Sequence, residues 1–205
     1  MPRDTLETLT SPRGLTARIV QDTDPESPRD WDNAGTMACW HPRYHLGDEQ
    51  PTESPSDWLA SFTRDNPGAV LLPLYLYDHS GLTIRCAPFS CPWDSGQVGY
   101  VYATRDTILK EWGGPNSKRL TPRLRACAES CLRSEVSTYD EYLTGQVYGI
   151  LIESPAGDNL DSCFGGYGLD YTREEAARML AHADAADARE AADESTRQAC
   201  APACD

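Results

Sequence analysis

Long apolar runs are missing from this 205-residue chain. The longest, AVLLPLYLY over residues 69–77, is less than half of the roughly 20 residues a helix needs to cross a bilayer. The opening MPRDTLETLT has no apolar centre from which to build a signal peptide, so a soluble protein of the cytoplasm is expected, with no membrane partner. No CxxC pair occurs, and no GxxxxGK[ST] phosphate loop. The glycines of CFGGYG are too few to match a dinucleotide fingerprint, which argues against nucleotide hydrolysis and nicotinamide chemistry. Basic residues are scarce as well, 18 against 32 acidic ones. A net charge of −14 repels phosphate backbones, so direct nucleic-acid binding is disfavoured and a basic protein partner is favoured.

The charge is unevenly placed. Residues 21–65 hold ten acidic and three basic side chains, and residues 135–205 hold fifteen and four, whereas residues 66–134 are net basic. Eight cysteines are present. In a chain of this length, long enough to bury about 70% of its unfolded surface, they are not needed as staples and read as mostly reduced thiols.

Local signals outline the elements. Residues 1–14 are polar, punctuated by proline, and read as a flexible N-terminus. LTARIV (15–20) reads as a strand, and DTDPESPRDWDN after it as a Pro-rich acidic loop that buries no apolar surface. GTMACW (35–40) is the next strand. Ser54 and Pro55 open a short amphipathic helix carrying Trp58, Leu59 and Phe62. Residues 70–89 form a hairpin around Asp78-His79-Ser80-Gly81, with Pro73 marking an edge or a bulge. GQVGYVYA (96–103) is a strand, after which Thr104 caps a helix that ends before Gly113-Gly114. Thr121-Pro122 opens a longer helix with Leu124, Cys127, Cys131, Leu132 and Val136 at spacings of three and four, ended by Gly145. QVYGILIE and LDSCFGGYG are two more strands, and Thr172 with Glu175 makes a capping box for a last helix. The fold class is therefore α+β: a single domain over 15–180 with a largely antiparallel central sheet covered by three or four helices, then an acidic Ala-rich helical tail at 181–205.

Three constellations carry possible chemistry. Cys91, His79 and Asp94 supply the residue types of a thiol nucleophile, a base and an orienting carboxylate. Cys39, His41 and His45 in CWHPRYH are zinc-ligand types that lack a fourth partner unless Cys86, Cys91 or Cys163 supplies it. Asp32, Asp94 and Asp161 each precede a Gly-containing strand, and they read either as turn-tying side chains or as three entries to one cleft. The acidic loop has calcium-loop density without its glycine and glutamate spacing. Tyr139, Tyr142 and Tyr148 read as packing at a helix-to-strand corner.

LPLYLYDHSG, PFSCPWDSGQVGYVY and EVSTYDEYLTGQVYG together resemble a family of small proteins from tailed-phage and prophage genomes, over residues 28–170. The resemblance supplies a phage context and no activity of its own; in that context a small acidic protein is expected to act in host takeover by occupying host proteins, including those that bind DNA. The reading that results is a non-enzymatic acidic accessory protein of the host cytoplasm that uses no cofactor. It binds a basic host or phage protein, as a mimic of DNA charge or a defence inhibitor, through Asp22, Asp24, Glu26, Asp30, Asp184, Asp187, Glu190, Asp193 and Glu194. The alternative is a metal- or thiol-dependent hydrolase built on Cys91 and the strand-entry aspartates.

Overall fold

The computed structural model describes residues 4–115 and 117–199, with the backbone alone for 194 and 196–199. It is α+β, with four helices and eight antiparallel strands divided between two four-stranded sheets. The chain forms two compact units: residues 26–145 are one, and the segments before and after them make the other.

In the unit of residues 26–145, β3 (Thr36–Cys39), β6 (Ser95–Ala103), β4 (Val70–Asp78) and β5 (Leu82–Arg85) lie side by side in that order. Alternation along β6 gives the sheet two different faces. Val101 and Ala103 point into a core with Met37, Leu74, Ile84, Leu132 and Val136, the last two from the long helix α3 (Pro122–Leu143). Tyr100 and Tyr102 point the other way, toward α1 (Pro55–Asp65). There Trp58 stacks 5.8 Å from Tyr100 and meets Trp40 edge-on at 5.4 Å, while Phe62 sits 4.5 Å from Tyr102. Each such pair adds about 1 kcal/mol beyond simple burial. A helix of eleven residues, too short to persist alone, is held by these rings.

Three helix starts are those the sequence announces. Ser54, Thr104 and Thr121 each accept a backbone N–H at the first turn of α1, α2 (Arg105–Trp112) and α3. Gly145 takes the left-handed conformation that closes α3. Pro73 lies in β4 before its pairing with β5 begins at Tyr75, so its missing N–H faces no partner on that side, and a bulge follows at once.

The acidic loop contradicts the expectation that it buries no apolar surface. Pro28 is buried, and a 3-10 turn, Pro28–Asp30, inserts the Arg29 side chain, only 6% exposed, between two carboxylates. Arg29 donates from Nε (3.0 Å) and Nη2 (2.6 Å) to Asp48 as a fork, from Nη1 to Glu135 on α3 (3.4 Å), and from Nη2 to the Gly35 carbonyl (2.7 Å). Asp48 in turn accepts Met37 N–H at 2.6 Å, and Glu135 accepts Ala34 and Gly35 N–H at 2.9 and 3.1 Å. Burial alone would lower the affinity of Arg29 for its proton, but the two carboxylates overcome this and hold it above its ordinary value. A Cβ on Gly35 would lie 2.3 Å from a Leu132 methyl, so the close approach to α3 requires glycine.

In the other unit the order is β1 (Thr5–Thr10), β2 (Thr16–Gln21), β7 (Val147–Glu153) and β8 (Asn159–Tyr167). The segment read as a flexible N-terminus therefore contains a strand. Its alternating Thr and Leu pair with β2, Leu9 packs on the core, and Glu7 pairs with Arg173 at 2.7 Å. Helix α4 (Leu169–Ala199) lays Ala176 and Leu180 on Ala17, Ile19, Ile150 and Ile152. The expected capping box is not the start of α4. Thr172 is buried inside the first turn, donating its hydroxyl to the carbonyls of Gly168 (2.8 Å) and Gly166 (3.2 Å).

Replacing Arg29 with Ala leaves two carboxylates facing the core without their cation, and the expected loss is about 3–5 kcal/mol in denaturant unfolding. Arg29→Lys recovers only part, because an ammonium cannot reproduce the fork to Asp48.

Candidate functional site

Two surface depressions bring candidate residues together, one in each unit. The first is a cleft of about 400 Å³ in the unit of residues 26–145, where the end of β4, the start of β6 and the loops at 40–43 and 93–94 meet. Its lining includes His41, Arg43, Asp78, Trp93, Asp94 and Gln97. The Asp78 N–H donates to the Asp94 carbonyl (2.8 Å), and the Ser95 hydroxyl donates to the Cys91 carbonyl, so the loop before β6 is tied at both ends. The hairpin beside it turns at His79-Ser80-Gly81, with Ser80 in the left-handed region. Arg43 pairs with Asp78 and lies 5.2 Å over the Tyr44 ring. Trp93 is 91% exposed.

Cys91, His79 and Asp94 do come together here, but in the wrong order for a thiol nucleophile. The Asp94 carboxylate sits between the other two, accepting the Cys91 thiol at 3.6 Å and standing 3.5 Å from His79 Nδ1. A Cys-His-Asp relay needs the imidazole next to the sulfur, because the base must take the proton and become the cation beside the thiolate. The side chains of this loop act instead as ties of a tight turn.

The zinc alternative is not supported by the placement of its residues. Cys39 is buried on β3, and burial, reinforced by Asp48, pushes its thiol up to about 12. His41 Nδ1 accepts the Arg43 and Tyr44 amides at 3.2 and 3.1 Å, a capping role that occupies the ring nitrogen. Among the described residues no three His, Cys, Asp or Glu side chains are grouped to hold a metal ion. The three strand entries also differ in how they are tied. Asp94 ties its turn through the contacts above; at β3 it is Asn33 that donates to the Pro28 and Trp31 carbonyls; and Asp161 lies within β8, opposite Ile152. Tyr139 is buried, as expected, and receives the Gly47 N–H at 3.2 Å.

The second depression is a groove of about 350 Å³ between β8 and α4, lined by Leu15, Leu160, Asp161, His182, Asp187 and Glu190, with two alanines of the helix. Leu160 is 54% exposed on the edge strand. Asp187 forms an exposed ion pair with Arg13 at 3.2 Å, and Asp184 accepts the Arg13 N–H at 3.3 Å. Of the nine acidic residues expected to form a binding surface, Asp187 and Glu190 line this groove, and Asp193 continues along the exposed helix. Asp22 is occupied internally, its carboxylate accepting the amides of Asp24 and Gly165 at 3.2 Å each. Asp24, Glu26 and Asp30 are exposed near the start of the chain, and the Glu194 side chain and Cys200 and Cys204 lie outside the described residues. Sequence reading missed Leu160 and Asp161 as groove residues because the alternation of β8 shows neither which edge is free nor what lies above it.

No family model matches the chain, and no curated protein or solved structure matches it either. No helix among the described residues is long and apolar enough to cross a membrane.

Thiol reactivity should follow these environments. Burial, then Glu135, pushes Cys131 up to about 11, and Cys39 lies higher still. Both hold their protons at pH 8, and since only the thiolate alkylates, iodoacetamide should modify exposed Cys163 well before either of them. Peptide mapping after timed quenching reads the order.

Proposed function

We infer that this protein is a non-enzymatic accessory protein of phage type that binds a basic protein partner, using the groove between β8 and α4. The single observation that carries this reading is the composition of that groove: an exposed Leu160 flanked by the carboxylates of Asp161, Asp187 and Glu190. An apolar seat with acidic edges complements an amphipathic segment bearing Lys or Arg. The apolar contact sets the lifetime of the complex, and the charges speed association and reject acidic competitors. The exposed ion pair of Asp187 with Arg13 is worth less than about 1 kcal/mol, so it yields readily to a better-placed cation. Asp187, Glu190 and Asp193 are exposed along α4 and extend the negative field. Host proteins that carry a basic surface for DNA are the partners this charge favours, and the resemblance to phage proteins supports the same direction.

A hydrolase built on Cys91 has one observation in its favour, the meeting of Cys91, Asp94 and His79. The central position of the carboxylate leaves the thiol without its base.

The test is capture from host lysate at low and high salt, with wild type and with a variant carrying Asp161→Asn, Asp187→Asn and Glu190→Gln. Basic proteins held by wild type at low salt should be released at high salt, and the variant should bind them about tenfold more weakly. An identical set retained by both proteins at every salt concentration would contradict the reading.

A further inference from the structure

We propose that the cleft between the ends of β4 and β6 is a binding site for a single arginine side chain presented on an extended peptide. Trp93 is the unusual residue of this cleft. An indole that is 91% exposed forfeits most of the apolar burial that makes tryptophan stabilising, yet it stands on a loop fixed by three hydrogen bonds and forms part of the wall of a 400 Å³ cleft. An uncovered indole on a loop tied in this way is a surface available to a ligand with a flat or cationic face.

Charge then selects the ligand. Two carboxylates and one guanidinium line the cleft. Arg43 and Asp78 satisfy each other, whereas the partners of Asp94 are a thiol and an imidazole whose contact is an ion pair only while the ring is protonated. Asp94 is therefore the carboxylate left to pair with an incoming cation, and it is next to Trp93 in sequence. A guanidinium suits both neighbours at once, since its plane lies on an aromatic face while its edge donates two hydrogen bonds to a carboxylate. An ammonium is a point charge and can use only one of these geometries well. Ser95 and Gln97 also line the cleft; the Ser95 hydroxyl donates to the Cys91 carbonyl and the Gln97 amide to the Gly99 carbonyl, which leaves their oxygens as acceptors for peptide N–H groups beside the arginine.

This site is in a different unit from the groove assigned above and does not depend on it. Binding is measured by fluorescence anisotropy with four labelled pentapeptides, identical except for a central arginine, citrulline, lysine or norleucine, at mildly alkaline pH. The proteins are wild type, Trp93→Ala, Asp94→Asn and the groove variant, each checked by far-UV circular dichroism. Trp93→Ala removes no buried packing, and Asn at 94 keeps an acceptor for Cys91. The arginine peptide should bind wild type about tenfold more tightly than its uncharged isostere citrulline. That preference should disappear in Trp93→Ala and Asp94→Asn and persist in the groove variant. Equal affinity for arginine and citrulline peptides, absence of binding up to millimolar concentrations, or an arginine preference that survives both cleft substitutions would overturn the proposal. Saturable binding of a neutral methyl glycoside, lost in Trp93→Ala, without arginine preference would also overturn it and reassign the cleft to carbohydrate.

Discussion

The insertion of Arg29 between Asp48 and Glu135 is the constraint on which the unit of residues 26–145 depends. Desolvating a guanidinium costs several kcal/mol, and a lone carboxylate would not offset it. Two carboxylates, one of them forked, and a backbone carbonyl together satisfy its edge. The same carboxylates hold the amides of Ala34, Gly35 and Met37, so one cluster fixes the loop ahead of β3, the start of β3 itself and the middle of α3. Glu135 can do this only because Gly35 lets the chain approach Leu132 closely. A pure hydrophobic contact would stabilise these segments comparably, but it would not set their register so narrowly.

With β3 fixed, the faces of the sheet follow. Val101 and Ala103 look toward α3, and Tyr100 and Tyr102 look toward Trp58 and Phe62. The strands end at a turn where side chains are spent on tying loops: Ser95 on Cys91, Cys91 on Asp94, and Arg43 on Asp78. What the ties leave over is an uncovered indole and a carboxylate with weak partners. A loop that reads in sequence as either catalytic or structural is structural in its hydrogen bonds, and it presents Trp93 as a result.

Legibility of the sequence followed the range of the interaction. Caps at Ser54, Thr104 and Thr121, the stop at Gly145 and the edge role of Pro73 were readable because each is decided within a few residues. The antiparallel α+β class followed from the strand and turn pattern. Arg29 was not readable, since its partners are 19 and 106 residues away and the surrounding Pro and Asp residues describe an exposed loop. Thr172 matched a capping box by spacing alone, while its hydroxyl was needed by two carbonyls at the true start of the helix. Two sheets replaced one because β7 returns to pair with β2 across more than 120 residues of chain, a choice that no local pattern records. Of the acidic surface, the residues on α4 were legible as charge, but the groove they share with Leu160 was visible only in three dimensions.

Hydrogen exchange at the amides of Ala34, Gly35 and Met37 tests the central claim most directly, because each donates to a carboxylate of the Arg29 cluster rather than to a strand neighbour through that contact. If the cluster organises this unit, these three amides exchange as slowly as the core amides of β6, and by the same global opening. Exchange at the rate of exposed loop amides would show that the cluster opens locally while the rest of the unit stays folded, and would contradict its organising role.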